Sequence, residues 1–444
     1  MVKNTILLFY GLFSQDQNYD WIPYGSLFLY SLLKKEGFNP IFIHEYKNRD
    51  YETIIKQYAE DALALGISAM TGFQISSGIK AAECFRKYVG LNRPIIWGGA
   101  HATAIPENTI SSKHVDYVYV GPVTQNIINF FRLIKANDNN ELKNLPKIIK
   151  SEIFERNFKF ELSKFPPILL SDFDFSYLIT ENRVLNYTAS IGCPGQCTFC
   201  SWGGDRHPWS EFSVERVLND IEYLINTYKL KTLWFSDSDF TIKKNFILNI
   251  AKGLIKRDIN VYWKCNARVV ELLKYKKEDY ELLEKSGLDS IFLGIENLDS
   301  QIQKNFNKFI KPEWVYKVVK DLNDYDIKVL MSFIFGTPNG PLNDLETNRD
   351  FLTKCKSLNR NIRFQVCFFT PYPGTTLTNL GKSMGYIEPK TIKEFGEHPF
   401  FINTNRSYYA LPWLSKDVAK DYLDRFNKLF PVIESDNDWN WRDK

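Results

Sequence analysis

No stretch of the 444 residues approaches 18 consecutive apolar positions, so the sequence contains no segment that reads as a membrane-crossing helix. No run of five or more like charges occurs, and 56 Lys plus Arg against 52 Asp plus Glu leave a formal charge of only +4. Nucleic acid is therefore not an expected partner. The seven cysteines are an odd number spread thinly over a long chain, which gives no disulfide framework and fits a reducing, cytoplasmic setting. The opening MVKNTILLFYGLF has too short an apolar run before Ser14 and Asp16 to act as a signal peptide, and reads instead as a first core strand. No repeat of solenoid type is evident.

What is present is ordinary globular material. With 44% hydrophobic, 24% charged and 15% aromatic residues, the chain can bury several cores, and its length calls for two or three packed units. Short β-branched runs at Thr5 to Tyr10, Pro40 to His44, Ala62 to Ser68, Pro94 to Trp97 and Asp116 to Val120 alternate with helical patterns. The first of these, around Gly25 to Glu36, ends at a capping Gly37. Near-continuous apolar strands separated by helices predict a parallel sheet covered on both faces, with ligands held beyond the strands' carboxyl ends. Two loops there are rich in small and hydroxyl residues: Ser68, Ala69, Met70, Thr71 and Gly72 after the third run, and Gly98, Gly99, Ala100, His101, Ala102 and Thr103 after the fourth. Such residues let a large flat ligand approach the backbone. Ordinary tight strand-to-helix turns would use the same glycines.

From about Ile134 to Pro167 the pattern loosens through KANDNNELKN to Pro166 and Pro167, which reads as a connector. A second alternating series follows, with strands near Asn186 to Ser190, Thr232 to Phe235, Val261 to Lys264, Ser290 to Gly294, Lys328 to Phe335 and Ile362 to Phe369. Helical signals fill the gaps at Glu215 to Tyr228, Lys244 to Arg257, Lys277 to Ser286 and Pro312 to Asp326. Six such units predict an open or partial barrel.

Directly after the first strand of that series stand Cys193, Pro194, Gly195, Gln196, Cys197, Thr198, Phe199 and Cys200. Barrel chemistry sits at strand carboxyl ends. Thiolates are the usual ligands of iron-sulfur clusters, and three on one short loop leave a fourth iron open to bind a substrate. A zinc site completed by His207 or Cys265 is the competing assignment, although structural zinc motifs usually pair their thiols. The other four cysteines, Cys84, Cys265, Cys355 and Cys367, stand in apolar or helical contexts that suit small buried thiols.

The C-x3-C-x2-C loop at this position resembles the signature of the radical S-adenosylmethionine superfamily. The resemblance continues through Trp234 to Phe240, Trp263 to Arg268, Gly294 to Asn297, Phe335 to Pro338 and Pro371 to Thr375, segments at the ends of later barrel strands in the cobalamin-dependent branch. Ahead of the barrel, Leu65 to Thr71 and Ile96 to Glu107 look like the cobalamin-binding domain of that branch. The fold implied is α/β: a Rossmann-like, parallel-sheet cobalamin-binding domain (1–140), a linker (141–180), a partial (βα)6 radical barrel (181–380) and a small carboxyl-terminal region (381–444).

The resemblance also implies cofactors and roles. Cys193, Cys197 and Cys200 would hold a [4Fe-4S] cluster whose open iron chelates S-adenosylmethionine. An electron, drawn from an external reductant such as flavodoxin or ferredoxin, would then yield a 5′-deoxyadenosyl radical. Phe199 resembles the aromatic that packs near the adenine. Asp237 and Asp239 would approach the cosubstrate's amino or ribose groups, Arg268 would pair with its carboxylate, and Glu296 would accept from the ribose hydroxyls. Solvated or salt-bridge roles compete for each of these charged residues. Ser68, Met70, Thr71, Gly98, Gly99, His101, Thr103 and Gly121 would surround cobalamin.

Two departures from the branch stand out. No Asp-x-His-x-x-Gly sequence occurs, so cobalt would lack a histidine from below, and His101 does not supply one because it sits in a turn expected to surround the corrin. Where many relatives carry Gly-Glu-Gly-Glu, this chain has Gly121, Pro122, Val123 and Thr124. The activity implied is methyl transfer from a second S-adenosylmethionine, by way of cobalamin, to an unactivated carbon of a small molecule. Radical ring formation or rearrangement is the alternative. A methylthiolating enzyme of transfer RNA would need further cysteines in the first domain, which offers only Cys84. A non-enzymatic cobalamin sensor would not cleave S-adenosylmethionine. The aromatic carboxyl-terminal stretch (Phe395, Phe400, Phe401, Tyr408, Tyr409, Trp413, Trp439, Trp441) would either cap the barrel mouth or pack on the barrel.

Overall fold

A computed structural model describes residues 3–13, 21–136, 139–155, 158–202, 208–340, 344–398 and 411–430. Its strands, in chain order, are β1 (Thr5–Tyr10), β2 (Asn39–His44), β3 (Ala62–Ser68), β4 (Ile95–Gly98), β5 (Tyr117–Val120), β6 (Ile148–Lys150), β7 (Val184–Tyr187), β8 (Ser190–Ile191), β9 (Ser210–Glu211), β10 (Thr232–Phe235), β11 (Tyr262–Ala267), β12 (Leu288–Glu296), β13 (Lys328–Phe335) and β14 (Ile362–Phe368).

The first sheet runs β2-β1-β3-β4-β5-β6 with every pairing parallel. β1 and β3 are buried along almost their whole length, which is why both read as unbroken apolar runs rather than alternating ones. Helices Tyr24–Lys35 and Phe73–Val89 are among those that cover the faces. β6 lies within the stretch that reads as a connector. It pairs with β5 as the sixth strand, and a three-residue strand is too short to leave a periodic signature.

The second sheet runs β14-β13-β12-β11-β10-β7, again all parallel and with consecutive strands adjacent. Among the described residues β7 and β14 do not pair, so the sheet forms an open barrel. The expected first strand of this series divides in two: β7 stops at Tyr187, and Ser190–Ile191 turn away to pair antiparallel with β9. An apolar cluster passes without a break from Leu8 and Phe28 through Phe165, Phe173 and Phe175 to Tyr187, Trp263 and Phe364, so the segment between the sheets is packed rather than free.

Cysteine burial departs from expectation at two positions. Cys265 and Cys355 are buried, but Cys84 is half-buried and Cys367, near the end of β14, is exposed. An edge strand with one uncovered face presents alternate residues to solvent.

Candidate active site

The cysteine loop is held from three sides. Both carboxylate oxygens of the fully buried Asp237 are taken up by the chain just before it, accepting from the backbone N–H groups of Ala189 and Ser190 and from the Ser190 hydroxyl. On another side, the Thr198 N–H donates to the Phe306 carbonyl (3.1 Å), the Leu377 N–H to the Thr198 carbonyl (3.0 Å) and the Asn307 amide to the Gln196 carbonyl (3.1 Å). Phe199 packs edge-on against Phe306, 4.7 Å between ring centres. Gly195 lets the loop close between two thiols, since a Cβ there would lie 3.3 Å from Cys193 Sγ and 3.9 Å from Cys197 Sγ. The N–H groups of Gly195 and Trp202 point at Cys193 and Cys200 sulfur, at 3.4 and 3.3 Å.

Burial pushes all three thiols up, and negative charge on Cys193 or Cys200 would raise its neighbours further, while Lys308 opposes the rise at each. Three thiols that sense one another in a partly dry site resist ionising until a polycationic centre compensates, which is the donor set an iron-sulfur cluster uses. A zinc site fits less well. Among the described residues no group of three or more His, Cys, Asp and Glu side chains converges as one ion requires. Cys265 is buried in the apolar core of β11, and His207 lies outside the described residues.

Beyond the strand ends the other expected residues separate into two kinds. Asp237 is buried among protein donors, and its carboxyl is pushed up to about 6 by that burial. Asp239 is equally buried and raised by burial; one oxygen accepts from the Thr241 N–H (2.9 Å) and hydroxyl (2.6 Å), and the other, Oδ2, has no partner. Arg268 and Glu296, by contrast, line an open cavity of about 390 Å³ at the barrel mouth. Glu296 takes φ +70° where the β12–β13 register slips, a backbone state uncommon for a non-glycine residue. Its Oε1 accepts from Lys308 Nζ (2.8 Å) and its Oε2 from the Ser332 hydroxyl (2.9 Å). Arg268 stands 4.0 Å from Glu271, which Lys274 also contacts.

Other lining residues were given no individual role in the sequence, among them Trp21, Trp234, Lys264 and Lys308. Trp234 and Lys264 sit side by side in register on β10 and β11, and alternation along those strands could have found them. Lys308 and Trp21 lie in irregular stretches where no period operates.

At the carboxyl ends of the first sheet the polar groups largely satisfy each other. The Thr71 hydroxyl meets His101 Nδ1 (3.0 Å), the Gly121 N–H donates to the Thr103 hydroxyl (3.0 Å), and the Met70 N–H donates to Gln74 (2.8 Å). Gly99 (φ +91°) is required, because a Cβ would stand 2.8 Å from the Ala69 N and O atoms and 3.0 Å from the Ser68 hydroxyl. Gly98 is the last residue of β4 and leads into the same loop, while Gly121 (φ +97°) opens the loop after β5. Met70 is 43% exposed, in contrast to its covered surroundings. His101 is buried beneath Phe395, with Nε2 unpartnered, and burial lowers its pKa to about 3, so the imidazole is neutral.

The two sets of strand ends meet. A Cβ at Gly374, after β14, would lie 2.6 Å from the carbonyl oxygen of Ala104, after β4. The nearby Tyr372 hydroxyl is raised by burial and feels Cys200. Of the aromatic carboxyl-terminal residues, Phe395 covers the first domain and Trp413 donates to the Gly336 carbonyl (3.0 Å) beyond β13. Phe400, Phe401, Tyr408, Tyr409, Trp439 and Trp441 lie outside the described residues.

Residues 187–352 match the family model of the radical SAM superfamily. The chain is 25% identical over 439 residues to an uncharacterised methyltransferase of Pyrococcus horikoshii, covering 90% of both proteins. It is 23% identical over 370 residues to the bacteriochlorophyllide d C-12(1)-methyltransferase of Chlorobaculum tepidum, covering 79% of this chain and 72% of that one. Among solved structures it shares the fold of TsrM from Kitasatospora setae, a radical S-adenosylmethionine methyltransferase seen with cobalamin and a [4Fe-4S] cluster bound, at a TM-score of 0.65 and 14% identity over 85% of this chain and 74% of that one.

Proposed function

We propose that the chain, whose residues 187–352 match the radical SAM superfamily, is a cobalamin-dependent methyltransferase acting on an unactivated carbon of a small molecule. The observation that carries this is the meeting of two strand-end surfaces. A three-thiol loop on the second sheet stands across from a surface of small and hydroxyl residues on the first, and Gly374 and Ala104 close the seam between them. Two relatives with methyltransferase names are matched over 90% and 72% of their own length, against 31% and 55% for two relatives named as cyclases, which supports methyl transfer over ring formation.

In this reading Cys193, Cys197 and Cys200 hold the [4Fe-4S] cluster, and the group supplies the electron that cleaves S-adenosylmethionine after loading by an external reductant such as flavodoxin or ferredoxin. Ser68, Met70, Thr71, Gly98, Gly99, Thr103 and Gly121 would hold cobalamin, which would supply the methyl-carrier chemistry. The protein's own part is positional. Arg268 offers a planar fork to the cosubstrate carboxylate, and Glu296, fixed by Lys308 and Ser332, offers acceptors to its ribose. Phe199 packs against the adenine. Asp239 Oδ2 is the buried acceptor left for the cosubstrate's ammonium. Asp237 acts on the loop rather than on ligands, because its oxygens are already engaged. His101 is buried beneath Phe395, and that cover rather than its charge keeps it from serving as a cobalt ligand.

The test is anaerobic reconstitution with cobalamin supplied, followed by iron, sulfide and corrinoid analysis and a reduced assay for 5′-deoxyadenosine. Four irons, a retained corrinoid and 5′-deoxyadenosine are expected. Zinc in place of iron would sink the assignment. With methyl-labelled S-adenosylmethionine, label in the product supports methylation, and its absence beside 5′-deoxyadenosine points to ring formation or rearrangement.

A further inference from the structure

The cavity at the barrel mouth has two tiers. Its outer tier is polar and belongs to the strand ends: Ser238, Arg268, Glu296 and Lys308. Its inner tier lies deeper along the strands and is of different chemistry. Trp234 on β10, Phe292 on β12 and Leu330 on β13 form a small apolar cluster of their own, apart from the two large cores. Phe292 and Leu330 are direct register partners, as are Trp234 and Lys264. Lys264 is 4% exposed, with its ammonium 5.9 Å from the Trp234 ring centre.

A fourth wall comes from the other domain. Trp21, in the chain between β1 and the following helix, packs edge-on against Trp234 at 4.6 Å between ring centres and lines the same cavity. Its position is fixed by an amide clip: the Ile22 N–H donates to Asn186 Oδ1 (2.8 Å), and Asn186 Nδ2 donates to the Ile22 carbonyl (3.3 Å). The about 390 Å³ enclosed is within the roughly 300–1,000 Å³ of small-molecule sites.

Aromatic faces in an open cavity stabilise a flat ring by offset or edge contacts. Of the charged groups on the lining, Lys308 is neutralised by Glu296 and Arg268 faces Glu271, both at the outer tier. Among the described residues the charged lining group of the inner tier is Lys264, which has protein contacts of its own; an ammonium carries three donors, so it can serve a ligand anion in addition to those contacts. We infer that the inner tier is the substrate subsite and takes a flat, ring-bearing anion, its ring against Trp21, Trp234 and Phe292 and its acidic group on Lys264.

This inference rests on the radical-enzyme reading, which assigns the outer tier to S-adenosylmethionine, yet its test needs no turnover. Cobalamin-loaded, cluster-reconstituted protein, held oxidised and saturated with S-adenosylmethionine, is titrated with 2-naphthoate, 2-naphthamide and 2-naphthylmethylamine. The acid is expected to bind about tenfold more tightly than the amide or the amine, as a desolvated charge pair provides. Lys264→Met should bring acid and amide to equal affinity, and Lys264→Arg should keep the preference. Trp21→Ala should weaken acid and amide together by about tenfold with their ratio intact. Equal binding of the three probes by the wild type, loss of the acid when S-adenosylmethionine is added, or a Trp21→Ala variant that binds like wild type would each overturn the inference. Protein that binds the acid as expected but forms no 5′-deoxyadenosine would leave the subsite standing and remove the radical chemistry.

Discussion

The two sheets are built alike, six parallel strands each, but their carboxyl ends are finished in opposite ways. On the first sheet the polar groups are largely matched to one another: Thr71 with His101, Thr103 with Gly121, Gln74 with Met70 and Gly11. Such a surface is nearly complete before any ligand arrives, the buried His101 Nε2 being the exception. On the second sheet the corresponding loops hold three thiols resisting ionisation and a buried carboxylate oxygen of Asp239 without a partner. The lesson is one of timing. A surface that receives a large preformed ligand is rigid in advance, whereas a surface that must grip charged ligands carries a desolvation cost until they bind.

Predictions can break that contrast. Alanine at Cys193, Cys197 or Cys200 is expected to abolish iron incorporation and 5′-deoxyadenosine formation while leaving corrinoid retention unchanged, because the first sheet depends on none of them; metal analysis and chromatography check both halves. Gly99→Ala attacks the other side. It forces φ +91° on an alanine and drives its Cβ to 2.8 Å from the Ala69 backbone, so a loss of about 2–4 kcal/mol in urea unfolding is expected, together with loss of corrinoid.

Asp237 sharpens the contrast through pH. Its carboxyl is raised from 3.8 to about 6, so the folded state binds the proton more tightly than the unfolded chain does. Its contribution to stability is fully present below about pH 4 and is lost as pH rises through 6, amounting to ~3 kcal/mol. Asp237→Asn should flatten that part of the urea-stability profile, and an unchanged slope would refute the assignment. The smallest effects belong to the carboxyl-terminal contacts. Trp413→Phe removes one hydrogen bond to the Gly336 carbonyl and should cost about 1 kcal/mol by thermal unfolding, with no change in corrinoid content.

Much of this organisation is legible in the sequence, for physical reasons that vary by element. Strands buried on both faces, such as β1, β3 and β13, declare themselves as apolar runs, and the cysteine spacing declares its loop. β6 was hidden because three residues carry no period, and the turn of Ser190 away from β7 was hidden because it depends on a carboxylate 47 residues later. The same limit applies within the site. Arg268 and Glu296 stand at strand ends, where position alone suggests a role, and both line the cavity. Asp237 carries the same signal, yet its oxygens are engaged by the backbone; nothing local separates the two cases. Lys308 and Trp21 come from irregular chain and become visible only when distant segments are packed together.

The Asn186 amide that grips both backbone groups of Ile22 has a bearing on how the molecule can be taken apart. β7 is the edge of an unclosed barrel, and an unprotected strand edge invites pairing with other chains. By docking a foreign peptide unit there, one asparagine lets the first domain serve as the plug of the second. Removing residues 1–180 to study the barrel alone would therefore uncover a sticky margin together with one wall of the cavity, and the fragment would report on its own self-association before it reported on catalysis.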